Sequence, residues 1–592
     1  MARNTYGVDE RLETPFNIKH FKRASVYIVK YKGQMLKALV LSALASATGL
    51  LAPILTQRAL DKSIPDKNVR ELIMLAAILA GTYIISVIFA VIRSKLMTEV
   101  GQNIIYDIRK DLFAHLQQLP FQYYDDRPHG KILIRVVNYV NSVSNMLSGG
   151  IVNIILELLN MVFILVFMFL VSVKLSLVVI SGMIPFGIVI WFIKKRQRRA
   201  WQEVSNKSSN MNAYLQENIV GAKVTQVFVR EEENAAIFDG LAEKLRKTWM
   251  RAVSYNNMLG PAVDSIAIVI RGAIFAVGLL VMGPLAVSVG TIVAMTSYAS
   301  RFWQPIMNIA NLFNDFINNI AYLERIFETM DEPVTIADRK DAYDIGDIKG
   351  DVEFKNVTFA YEKGKDVLKN MSFKVRAGER IALVGPTGAG KSTVVSLISR
   401  FYDINEGEIL IDGHNISEVT LKSLRSQMGI MLQDSFIFSG TIADNIRYGK
   451  LDATREEIEA ASRTVCADRF ISRMSEGYAT EVRERGALLS QGQKQLISFA
   501  RTLLSDPKIL VLDEATSSID VQTEKDLQEG LNELLKGRTS FIIAHRLSTI
   551  RGCDRIMYID NHGITECGSH DELMAAKGDY YHLYTAQMKE VS

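Results

Sequence analysis

Six apolar stretches crowd the first half of this chain, at roughly 36–59, 72–92, 149–172, 175–194, 261–283 and 287–309. Each has the ~20 residues that a helix needs to cross a hydrocarbon core about 30 Å thick. No water satisfies backbone groups in that medium, so an apolar segment crosses it as a helix. One such stretch fits a buried helix of a soluble core. Six in succession fit a membrane domain.

The links between them are uneven. The first pair is separated by about ten residues, the second by Val173-Lys174 and the third by a few around Gly283-Pro284. More than 50 residues separate the second stretch from the third, and the fourth from the fifth. Both long segments are charged, helical in pattern and free of turn-rich breaks. They read as membrane helices continuing into water and returning. Basic residues set the sidedness: Lys194-Lys195-Arg196 with Arg198-Arg199 after the fourth stretch, Arg93 and Lys95 after the second, and Lys19, Lys22, Arg23, Lys30 and Lys32 before the first. By the positive-inside rule the N-terminus and both long segments are cytoplasmic, which expects a multi-pass protein of the cytoplasmic (inner) membrane. The first short link, with Lys62, Lys67 and Arg70 among Asp61, Asp66 and Glu71, weakens that asymmetry. Segment 14–32 mixes apolar and basic residues and reads as an amphipathic helix on the inner leaflet, the alternative being a flexible terminus.

Composition excludes several other classes. The net charge is +4, too small to expect a nucleic-acid partner. Cys466, Cys553 and Cys567 form no C-x-x-C pair, which disfavours a disulfide framework or a zinc site. The first residues lack the apolar core and cleavage site of a signal peptide.

The second half carries the chemistry. Gly385-Pro386-Thr387-Gly388-Ala389-Gly390-Lys391-Ser392 fits the phosphate-loop pattern. Arg380–Val384 before it reads as a buried strand, and the run from Thr393 to Ser399 after it reads as a helix. Glycines let backbone N–H groups wrap phosphates, and the helix N-terminus adds partial positive charge. Lys391 is expected to neutralise the β- and γ-phosphates of ATP, and Ser392 to ligate Mg2+. Further on, Lys508–Glu514 reads as a buried strand ending in two carboxylates. Asp513 there suits Mg2+ support, and Glu514 suits polarisation of the attacking water.

Leu489-Ser490-Gln491-Gly492-Gln493 resembles the signature sequence of ABC transporters, and the other motifs of that family follow in its order. Tyr361 resembles the aromatic residue that stacks on adenine, and Gln433 the glutamine that joins Mg2+ and water to the membrane contacts. Ser517 to Asp520 resembles the D-loop, and His545 the histidine that contacts the γ-phosphate. The resemblance covers essentially the whole chain. It implies a bacterial exporter half of the multidrug or lipid type: residues 1–35 an N-terminal segment, 36–330 an all-α six-helix membrane bundle with long cytoplasmic extensions, 331–350 a linker, and 351–592 an α/β P-loop ATPase domain. Phe121–Asp126 followed by Gly130 resembles the approach to the first coupling helix of such proteins, and Asn218–Arg230 resembles the second. Peptide exporters with an N-terminal cysteine protease are disfavoured, because only about 35 residues precede the first span and none is cysteine.

The resemblance also implies a dimer, since the phosphate loop of one chain needs the signature serine and glycine of another across ATP. Two departures bear on the partner. Gln491 stands where the family usually has glycine, and so does Arg483. A side chain at 491 would crowd backbone that approaches ATP. With Glu514 and His545 intact, this resembles the catalytic half of a heterodimeric exporter. A homodimer, including a homodimeric lipid flippase, is the competing expectation; a gated channel or regulator on the same fold is a third. The substrate is expected to be a small hydrophobic or amphipathic molecule met in the lipid bilayer. Glu157, Asn160, Asp264 and Arg271 are polar residues inside spans and so are candidates for contacting it. Helix–helix adhesion is the more ordinary use of such residues.

Overall fold

The computed structural model describes the chain apart from residues 1–17, 126, 128, 145, 147–149, 283–286, 363, 432–434, 514–520, 545–546 and 592. The described residues form two units, 1–117 with 127–332, and 118–126 with 333–592.

Among the described residues, the first unit consists of helices joined by short turns, with no strand. Five of its helices, among the described residues, are long and apolar enough to cross a membrane: Lys32–Ser63, Val69–Leu116, Asn153–Val171, Val173–Val220 and Glu231–Val281. Val69–Leu116 has 48 residues and so is about 72 Å long, more than twice the hydrocarbon core. The surplus is the expected extension beyond the membrane. Within the second extended pair, Ala200, Val204 and Ala252 form a small buried seam. Gln197 Nε2 donates to Asn256 Oδ1 at 2.7 Å beside it. The sixth expected span is also helical, within Val289–Met330, but it is not among the five apolar ones. Its composition explains why: Arg301, Gln304, Asn308 and Asn311 recur at steps of three and four and fall on one face. The opposite face, with Met295, Tyr298, Ala299, Phe302 and Trp303, is buried in the core of the unit. The N-terminal segment is helical over Ile18–Val29, with Val26 and Val29 exposed. Tyr27 and Lys30 tie it down, donating to Asp111 and Asp107 at 2.9 and 2.6 Å.

The second unit contains twelve strands among the described residues. Antiparallel β1 (Val352–Phe359), β2 (Leu368–Val375), β4 (Glu406–Ile411) and β5 (His414–Asn415) form one sheet in the order β2-β1-β4-β5. The larger sheet takes β3 (Arg380–Val384), β6 (Met428–Met431), β9 (Ile509–Asp513), β10 (Thr539–Ile543), β11 (Arg555–Asp560) and β12 (Gly563–Gly568) in the order β12-β11-β3-β10-β9-β6. All its pairings are parallel except β11 with β12. Strands β7 (Gly440–Thr441) and β8 (Glu481–Val482) make a short separate pair. A parallel sheet is covered on both faces, so its strands are uninterrupted apolar runs. Ile381, Ala382 and Leu383 of β3 are fully buried, as are Ile509, Leu510 and Val511 of β9. Residues 333–350, where the sequence expects a linker, belong to this unit. Ile345 and Ile348 sit in its core, and the Asp412 carboxylate accepts the backbone N–H groups of Lys349, Gly350 and Asp351.

Candidate ATP site

The site begins where β3 ends. Gly385 leaves the strand at φ +140°, and a Cβ there would stand 2.2 Å from the Ile559 carbonyl oxygen of β11. Only glycine lets the chain turn so close to the neighbouring strand. Gly385→Ala is therefore expected to destabilise the ATPase unit by about 2–4 kcal/mol. A denaturant midpoint equal to that of the parent would show that β11 does not fix the loop. The loop then exposes Pro386, Thr387 and Gly388, half-buries Ala389 and enters the helix Lys391–Ile398 through Gly390 at φ +103°. Ser392 is exposed in the helix's first turn, and Thr393 is buried.

Lys391 is 9% exposed. Its ammonium donates to the carbonyls of Gly385 and Pro386 at 2.9 and 2.8 Å. Burial holds its pKa below the usual lysine value, and the negative charge of Asp513 pulls it partly back up. Strand register explains that proximity. Ile543 of β10 pairs with Leu383 on one side and with Asp513 on the other. Asp513 therefore stands level with the end of β3, two strand spacings or about 10 Å across.

Tyr361 closes another side. It is 42% exposed, and its hydroxyl pairs with Thr393 Oγ1 at 3.1 Å. Burial raises its pKa, the Thr393 bond opposes that, and the charge of Asp125 adds to it. Phe359 and Tyr402 meet the Tyr361 ring edge-on at 4.8 and 5.0 Å between centroids. The sequence singled out Tyr361 but not Tyr402, Phe401 or Asp125 as parts of this region. Residues 399–403 carry no spacing that marks them, although the Arg400-Phe401-Tyr402-Asp403 run after the helix is a local signal in hindsight.

Ser490 lies elsewhere. It caps the helix Gln491–Leu504: its hydroxyl accepts from the Gln493 N–H at 3.3 Å, and its own N–H donates to Gln493 Oε1 at 2.9 Å. Gln493, the last residue of the signature stretch, has its side-chain oxygen engaged in this cap. Gly492 is buried, and Gln491 is half-buried in the first turn. The helix packs on β6, the edge strand three places from β3. At ~4.8 Å per strand that is about 14 Å across the sheet. Arg483 is exposed and adopts φ −72°, ψ 177°, an extended backbone that asks for no glycine. Of the two departures, only Gln491 touches the helix start. Gln433, Glu514, Ser517 to Asp520 and His545 lie outside the described residues.

A helical unit with several membrane-length helices, joined to a P-loop α/β unit with a separate serine-capped helix, defines an ATP-driven transporter of the exporter type. The chain matches the ABC transporter transmembrane region over residues 35–306 and the ABC transporter domain over 368–517. It is 41% identical over 589 residues to an uncharacterized ABC transporter ATP-binding protein, YknV, of Bacillus subtilis (strain 168), covering 99% of this chain and 98% of that one. It is 33% identical to an ATP-dependent lipid A-core flippase of Syntrophus aciditrophicus (strain SB), covering 100% and 98% of the two chains. A solved structure of a bacterial Atm1-family ABC exporter with ATP bound matches with a TM-score of 0.78 and 29% identity, over 94% of this chain and 98% of that one. The chain belongs to the ABC transporter family, with membrane and ATP-binding regions fused.

Proposed function

We propose that the chain is one half of a heterodimeric exporter of the cytoplasmic membrane, its N-terminus and ATPase unit in the cytoplasm, moving a hydrophobic or amphipathic molecule outward. The observation that carries this reading is the loop from Gly385 to Lys391, set against Asp513 across one intervening strand. Backbone N–H groups from Pro386 to Thr393 cradle the phosphates of ATP, Lys391 neutralises the outer two, and Tyr361 stacks on adenine. Ser392, Asp513 and Gln433 would hold Mg2+. The described donors suit it: a hydroxyl and a carboxylate, both hard oxygens. Mg2+ would supply neutralisation of phosphate charge there. Glu514 orients the attacking water, and His545 contacts the γ-phosphate.

Ser490, Gly492, Gln493 and Asp520 serve an ATP site shared with a partner chain. The packing of the helix that Ser490 caps on β6, three strands from the β3 that leads into the phosphate loop, supports this. The second cytoplasmic tip supports it too. There the short helix Ala222–Val227 and its flanks expose Ile219, Val220, Val224, Val227, Phe228 and Val229. That is more contiguous apolar surface than a solvent-facing tip tolerates, and a second half-transporter is the occupant proposed for it.

The polar face of Val289–Met330 supports a water-filled route. Gln304 and Asn311 are exposed within the unit, and lipid is a costly neighbour for amides. Asn308 Nδ2 donates to Glu157 Oε1 at 2.7 Å, and Lys194 Nζ donates to Asn311 Oδ1 at 2.8 Å. Glu157 thus gains a place on this face. Arg271 bonds back to the Ala267 carbonyl of its own helix at 3.3 Å.

Ser490→Ala separates the two assemblies. In a homodimer it removes a signature contact from both sites, and ATPase activity should fall at least about tenfold. In the proposed heterodimer, where Gln491 and Ser490 serve the weaker site, the fall should stay below about threefold. Robust ATPase activity from this chain purified alone, with both sites hydrolysing, would sink the heterodimer.

A further inference from the structure

We propose that the basic belt Lys194–Arg199, with Trp191, Trp201 and Trp249 beside it, is a binding surface for anionic phospholipid headgroups of the leaflet where the fourth span leaves the membrane. This rests on the membrane placement of the helices and goes beyond the transport reaction. It names a lipid partner of the transporter, not a substrate.

Lys194, Lys195, Arg196, Arg198 and Arg199 fall within six consecutive positions, and no acidic residue occurs from Trp191 to Gln202. The antiparallel neighbour supplies none either. The bond from Gln197 to Asn256 sets Val173–Val220 and Glu231–Val281 level at this height. The facing stretch, residues 244–263, also lacks Asp and Glu. Glu203, just beyond the belt, pairs with Arg251 at 3.5 Å. An excess of bases on one side is enough to orient a span. It does not require that the neighbouring helix exclude acids over the same height. Cations gathered without a carboxylate among them repel one another, and an anion from outside relieves that repulsion.

The belt also lies at headgroup depth. The fourth apolar stretch ends at 194, so Lys195 to Arg199 lie within about 8 Å of the hydrocarbon edge. Side chains lean toward the N-terminus of their own helix, and this helix leaves the membrane toward its C-terminus. The bases therefore lean back toward lipid. Two contacts show it: Lys195 Nζ lies over the Trp191 ring at 5.1 Å, and Arg196 Cζ over the Phe192 ring at 4.0 Å, each one turn nearer the membrane. Lys195, Arg196, Arg198 and Arg199 are exposed, whereas Gln197 and Ala200 turn into the seam between the helices.

The indoles point to lipid rather than to a soluble anion. Trp191 is 63% exposed. Trp201 and Trp249 meet edge-on across the seam at 5.3 Å, with 36% and 47% of their surface open. An apolar ring with one polar N–H is favoured at the boundary between hydrocarbon and headgroups. A free phosphate has no use for three open indoles; a phospholipid offers them acyl chains and glycerol, and its phosphate to the bases.

The test uses those indoles as reporters. The chain has four tryptophans, and the fourth, Trp303, is buried. The full chain is placed in nanodiscs of phosphatidylcholine with one-fifth phosphatidylglycerol. Bromine is carried on the acyl chains of either the phosphatidylglycerol or an equal share of the phosphatidylcholine. Both faces of the disc hold the same lipids, so the result is independent of sidedness. In the parent, brominated phosphatidylglycerol should quench tryptophan fluorescence at least about twofold more than brominated phosphatidylcholine. Arg198→Gln with Arg199→Gln should remove the difference, and Arg198→Lys with Arg199→Lys should keep it. Arg246→Gln with Lys247→Gln, which removes the same charge farther from the membrane, should also keep it. Equal quenching by the two lipids in the parent would overturn the proposal, as would a full difference in the double glutamine variant. Loss of the difference in excess inorganic phosphate at constant ionic strength would make the belt a site for free anions and end the lipid assignment. If the parent does not enter the discs, the membrane reading falls; if it enters and shows no preference, only this proposal does.

Discussion

Glu514→Gln is expected to lower steady-state ATP turnover of the purified transporter by about 100-fold or more while nucleotide still binds. A hundredfold loss is about 2.7 kcal/mol of barrier. Asp513 ends β9 level with the end of β3, within electrostatic reach of Lys391. Glu514 is the next residue in the sequence. Glutamine matches the size of glutamate, so strand packing is preserved and the loss reads the charge. Turnover above half that of the parent would remove Glu514 from the reaction.

Lys391→Ala should show the opposite split, weakening ATP binding itself by about 10- to 100-fold. That is the range of one or two hydrogen bonds from a charged donor, about 1.5–3 kcal/mol. The change also removes the ties from the ammonium to the Gly385 and Pro386 carbonyls, so loop order and phosphate charge are lost together. Lys391→Arg, which keeps the charge with a different shape, separates the two. The Kd for ATP, measured on the purified chain, is the readout. An affinity equal to the parent's would refute the assigned role. Together the two variants distinguish a residue used in turnover from one used in binding.

What the sequence alone determined is what short stretches of backbone demand. The strand–loop–helix around Gly385 is legible because glycines at positive φ and a buried apolar strand leave few other conformations: β3 spans Arg380–Val384 as read, and the helix runs Lys391–Ile398. Apolar length likewise announces membrane helices, since hydrocarbon imposes its own thickness. Tertiary structure alone decided which distant side chains meet. Asp125 and Tyr402 are 277 residues apart and share a hydrogen bond. Residues 118–126 join the ATPase unit although the helices before and after them belong to the other. Residues 333–350 look like a linker because they are polar and irregular, yet Asp412 accepts their backbone and the core takes Ile345 and Ile348. The face of Val289–Met330 was equally hidden. Its step of three and four is in the sequence, but the burial of its opposite side, and the bond from Asn308 to Glu157, appear only when the helices pack. Local rules act through a few dihedral angles, whereas these contacts depend on where whole elements come to rest.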